Sequence, residues 1–155
     1  MQENDDSEER SDFFINLSIE IERSLNAGDG VIVVGDMNAK LEMDTEGNIM
    51  PDSGNGRLLL NTVCDFDLEV VNFADCCKGT WTYSKDVLGV NQRSRLDSLI
   101  TDREVFKSVQ ELEIDEDKIF CPSHKTTEKG DKRIVFEVYF NIIFVARVIL
   151  FQKSA

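Results

Sequence analysis

A single α/β domain is the fold that this sequence predicts, on three observations. The 155 residues carry 41% apolar and 30% charged side chains, enough for one core and too many charges for a membrane-embedded chain. Apolar residues at helical spacing come early, whereas the later segments are short runs rich in β-branched and aromatic residues. Polar or glycine-containing turns separate these runs, the spacing of a layered α/β or α+β domain.

Residues 1–12 hold six acids and one base and are expected to form a flexible acidic N-terminus. Asp6 followed by Glu9 resembles a helix start, and Phe14, Leu17, Ile21 and Leu25 then recur on one helical face until Asn26-Ala27-Gly28 ends it. Val31 to Val34 form an unbroken apolar run after a glycine turn, as in a strand buried on both faces. Residues 44–56 are dense in Gly, Pro, Asn, Asp and Ser and read as a loop, after which Leu59, Val63 and Phe66 mark a second short helix. Leu68–Phe73, Thr80–Tyr83, Arg95–Thr101 and Val105–Ile114 are strand candidates. The run from Ile134 to Phe151 is long and apolar enough to raise a membrane helix, but Glu137, Asn141 and Arg147 interrupt it, so a buried strand or helix is expected and no membrane partner.

A formal net charge of -13 has the wrong sign for holding a phosphate backbone by bulk electrostatics, so any nucleic-acid contact must be local. Cys64, Cys76, Cys77 and Cys121 form no C-x-x-C pair and no apolar N-terminal run suggests a secretory signal, which points to reduced thiols inside the cell, nuclear or cytoplasmic. Cys121 and His124 have a C-x-x-H spacing, but adjacent Cys76 and Cys77 do not easily complete a zinc site.

Asp36 and Asn38 directly follow the buried strand, where they offer oxygens to a hard cation and hydrogen bonds to a phosphate or a water. Taken alone, Gly35-Asp36-Met37-Asn38 is read first as a turn, since turns favour these residue types. Asp97 alone is a solvated strand residue or an ion-pair partner of Arg95, and Trp81 alone is a core side chain.

The order VIVVGDMNAK, NGRLLLNTVCDFDLEVVN, GTWTY, RSRLDSLITD and PSH resembles the endonuclease/exonuclease/phosphatase superfamily. The likeness is greatest to endonuclease domains of non-long-terminal-repeat retrotransposons and their host-encoded relatives, such as the craniofacial development protein 2-like proteins. It covers residues 13–124 and implies an incomplete four-layer α/β/β/α sandwich of DNase I-like type, with 125–155 a divergent C-terminal segment. The function it implies is divalent-metal-dependent phosphodiester hydrolysis, with Mg2+ or Mn2+ as cofactor and DNA or another phosphodiester as substrate.

By the same resemblance Asp36 would orient the nucleophilic water, and Asn38 would contact the phosphate and metal region. Asp97, in Ser94-Arg95-Leu96-Asp97, would hydrogen-bond the catalytic His124, the only histidine in the chain. Trp81 and Arg95 would lie on the substrate side. Two departures lower the expected activity. Ser123 stands where the family has a metal-binding Asp, and the family's N-terminal strands, with a metal-binding Glu, have no counterpart before Gln2. A truncated, weakly active or inactive domain is therefore one expectation, and a non-catalytic remnant or protein-interaction module the other.

Overall fold

The computed structural model describes residues 3–81, 83–94, 97–120, 132–140 and 146–151. In chain order the elements are α1 (Glu3–Asn26), β1 (Gly30–Asp36), β2 (Leu41–Met43), β3 (Ile49–Pro51), α2 (Gly54–Asp65) and β4 (Leu68–Val70), then a 3-10 turn (Val71–Phe73). They continue with β5 (Cys77–Lys78), β6 (Tyr83–Val87), β7 (Val90–Ser94), β8 (Asp97–Asp102), α3 (Arg103–Phe106), β9 (Val109–Phe120), β10 (Lys132–Phe140) and β11 (Ala146–Phe151). The chain is thus a mixed α/β protein.

α1 begins at Glu3, three residues ahead of the expected start, so most of the acidic stretch belongs to the helix. Its end follows from Gly28, whose positive φ of 78° lets the chain reverse. Gly28 N donates to Leu25 O and Asp29 N to Ser24 O, the paired bonds of a Schellman cap. The helix buries Phe14, Leu17 and Ile21, the stripe predicted from spacing.

β1 is the centre of a four-stranded sheet with strand order β11-β1-β8-β4. It pairs parallel with β11 and antiparallel with β8, and β4 closes the other side antiparallel to β8. Because side chains alternate along a strand, β1 serves two cores. Val31 and Val33 join Ile100 of β8 under α1 and α2, with Leu59 and Val63 supplied by α2. Ile32 and Leu99 point the other way and pack with Leu112 and Ile114 of β9 and Val105 of α3. The layers are therefore helices, a four-stranded sheet, and a second sheet with strand order β5-β9-β10-β6-β7.

Several expected boundaries move. The 44–56 loop contains β3, which pairs with β2 around a turn built on Asp44, and also the start of α2. Asp44 Oδ1 accepts the backbone N–H groups of Glu46 and Asn48, and Oδ2 accepts the Asn48 side chain at 3.0 Å. These bonds, the Asn48 side chain first, hold the Asp44 carboxyl below its ordinary value. The strand expected over Leu68–Phe73 stops at Val70, the strand expected at Thr80 starts at Tyr83, and Val105 falls in α3 before β9 begins. The apolar run of Ile134 to Phe151 contributes β10 and β11, one to each large sheet. Among the described residues no helix is long and apolar enough to cross a membrane.

Candidate functional site

Asp36 closes β1 and Asp97 opens β8, and the antiparallel register sets them directly opposite each other. Asp36 shares its face with Ile32, and Asp97 with Leu99, so both carboxylates lie on the face turned toward the second sheet. Residues so opposed have Cβ atoms about 5 Å apart, and like charges there repel. Both positions are half-buried.

Beyond Asp36 the chain turns sharply. Asn38 N donates to Asp36 Oδ1 at 2.9 Å, and Asn38 adopts φ +46°, a left-handed conformation that its short polar side chain tolerates. The turn reading and the site reading of this segment are therefore one geometry, since the turn puts the exposed Asn38 next to Asp36. The neighbours Met37 and Ala39 are buried at 2% and 1% exposure and anchor the turn to the core on either side.

α2 backs this turn. Ser53 caps the helix by accepting Gly56 N at 2.9 Å, and the same Oγ accepts Lys40 N at 3.0 Å. Asp52 N donates to Lys40 O, and Gly56 lies so close to that carbonyl that a Cβ on it would stand 2.2 Å from the oxygen. The glycine of the Asn55-Gly56-Arg57 block thus has a local purpose, the seating of α2 on the loop that carries Asn38.

Asn72 is a contributor that sequence reasoning missed. It is 4% exposed, its Oδ1 accepts Leu99 N at 2.8 Å, and its Nδ2 donates to Asp97 O at 3.3 Å. The amide therefore holds the backbone on which Asp97 sits. At the other end of β8, buried Asp102 caps α3 by accepting Glu104 N and Val105 N at 2.8 and 2.9 Å, and it also accepts Val31 N from β1.

Of the residues singled out from sequence, Asp36, Asn38 and Asp97 come together at one end of β1 and β8. Trp81 is half-buried in the connection from β5 to β6. Arg95, Ser123 and His124 lie outside the described residues, as does Cys121. None of the described cysteines, Cys64, Cys76 and Cys77, is in a disulfide, and burial pushes the Cys76 thiol up, away from the thiolate that metal binding needs.

The donor set suits a hard cation of magnesium type, which keeps several waters and takes one or two carboxylates together with substrate oxygens. Asp36 and Asp97 are the carboxylates that would hold it, with the Asn38 carboxamide beside them. Among the described residues no group of three or more His, Cys, Asp or Glu side chains is placed to hold a metal ion, so the described part of the chain offers the cation at most this pair of carboxylates. The chain matches no family model, no curated protein and no solved structure.

Proposed function

We propose that the chain carries a phosphodiester-hydrolysing site of the endonuclease/exonuclease/phosphatase type, centred on Asp36, Asn38 and Asp97. The observation that carries the reading is the register match of Asp36 with Asp97, two acids from blocks 61 residues apart in sequence, on a face between two sheets. The succession of helices, four-stranded sheet and second sheet supports a DNase I-like sandwich. Ligand sites in layered α/β folds favour such strand ends.

Asp36 holds and deprotonates a water for in-line attack on the phosphorus. Asn38, fixed by its turn, donates its side-chain amide to a phosphate oxygen. By the family resemblance Asp97 would orient His124, whose imidazole would donate hydrogen bonds as negative charge gathers on the phosphate. Each such oriented donor contributes about 3 kcal/mol to lowering the barrier. A divalent cation, when bound, would be held beside Asn38 by carboxylate oxygens of Asp36 and Asp97 and would supply polarisation of the scissile phosphate.

Nicking of supercoiled plasmid in Mg2+ or Mn2+, with EDTA as control, tests the reading. Asp36→Ala and His124→Ala are each expected to lower the metal-dependent rate by about 100-fold or more. Unchanged nicking in either variant overturns it. A second reading, a non-catalytic interaction module on the same fold, is favoured by Ser123 at the position of an expected carboxylate and by the net charge of -13. It expects no metal-dependent nicking from the parent chain.

A further inference from the structure

Away from the paired aspartates, α1 and α2 leave a groove of about 400 Å³ between them on the outer face of the helical layer. Its floor is apolar, formed by Phe14, Ile15 and Ile19 of α1 with Leu58 and Phe66 from α2 and its end. Ile15 and Ile19 are 55% and 45% exposed, a large apolar presence on a helix whose opposite stripe already fills the core. The two helices are tied beneath the groove by Ser18 Oγ and Thr62 Oγ1 at 3.5 Å.

The rim has one dominant sign. Glu22 and Asp65 line the groove, and Asp12 and Glu8 continue the Ile15–Ile19 face toward the start of α1 at steps of three and then four residues. α1 as a whole carries eight acids against two bases, and one of those bases, Arg23, is ion-paired to Glu20. An apolar trough between two helices accepts a third helix laid along it, and an acidic rim selects one with Lys or Arg on its flanks. The same charge argues against a nucleic acid, an anionic membrane surface, or the α1 face of a second copy, all of which are negative.

We propose that the α1–α2 groove docks a cationic amphipathic helix of a partner protein. Ile15 and Ile19 receive its apolar face, and Glu22 and Asp65 engage its flanking cations. This surface is independent of the paired aspartates and stands whether or not the chain hydrolyses phosphodiesters.

The test uses the full chain and a synthetic Leu/Lys peptide about 14 residues long, which spans roughly 21 Å as a helix. Controls are a scrambled peptide of identical composition and a Leu/Glu version. Fluorescence anisotropy is expected to show saturable binding of the amphipathic peptide that weakens as salt rises from about 50 to about 500 mM. Ile15→Ser with Ile19→Ser is expected to weaken it at least about 10-fold, as is Glu22→Lys with Asp65→Lys, while melting temperatures stay near that of the parent. Equal binding of the scrambled peptide, or binding indifferent to the isoleucine pair, overturns the proposal, because general charge attraction then accounts for the signal. No binding of the amphipathic peptide overturns it too. A concentration-dependent dimer that the isoleucine substitutions dissolve makes a second copy the occupant and likewise overturns it.

Discussion

At Val71 the chain leaves the edge of the four-stranded sheet, and two backbone groups of β8 that a longer β4 would have met turn instead to Asn72. The carboxamide is suited to this because it presents an acceptor and a donor side by side, as a strand's own backbone does. Replacing it by alanine leaves Leu99 N–H buried without its acceptor, a loss of about 2 kcal/mol. Asn72→Ala is therefore expected to lower the urea midpoint at unchanged slope and to speed hydrogen exchange of the Leu99 amide more than that of Ile100. Exchange that stays equally slow at both amides would show that the bond does not secure β8. Nothing in the sequence marks this role: Asn72 stands in LEVVNF among good strand formers, and its task arises only from where β4 stops. Asp36 and Asn38 were legible for the opposite reason, because a turn directly after a buried apolar run has local causes.

Among the elements, those with a local cause were read from sequence, and those that depend on distant partners were not. α1, β1 and α2 announce themselves by periodicity, by an unbroken β-branched run, and by apolar spacing after a polar loop, although the Ser53 cap that starts α2 inside that loop was not read. β2 and β3 are three residues each, too short to show alternation, and α3 is a single turn that Asp102 caps inside what reads as a strand. The contact of α2 with the Lys40 carbonyl lies between these cases, since the glycine is visible in the sequence and its neighbour is not. Gly56→Ala would force a methyl against a backbone oxygen, where no flexible side chain can yield, and the cost is about 1–3 kcal/mol or more. Urea unfolding is expected to register that loss, and the backbone amide signals of Met37 to Lys40 are expected to shift, because the loop carrying Asn38 must give way. A variant as stable as the parent with those signals in place would contradict the seating described for α2.

On the scale of the whole molecule, the fold is held by pairings between segments far apart in the chain, which is why the sheet order was out of reach of pattern reading. β1 near the start lies parallel to β11 near the end, with Gly30 opposite Ala146 and Gly35 opposite Phe151. β10 crosses to the other sheet, where it pairs along most of its length with β9, so the apolar run from Ile134 to Phe151 fastens both sheets. The hydropathy of that run raised a membrane helix because it has no period to reveal two strands with different neighbours. One consequence can be measured directly. Removing residues 146–155 takes β11 away and turns β1, with Val31, Ile32 and Val33 in its middle, from an interior strand into an edge with unpaired N–H and C=O groups. Such an edge is a template for pairing with another copy, and a flat apolar one is an aggregation site. The truncated chain is expected to melt lower and to move into large assemblies on size-exclusion chromatography at concentrations where the parent elutes as a discrete species. Asp36 should suffer as well, because its strand loses one of its two flanking ladders while the β8 side, with Asp97, remains. A truncated chain that elutes and melts like the parent would mean that β8 and the helices alone fix β1, and the parallel pairing would then contribute little to the fold.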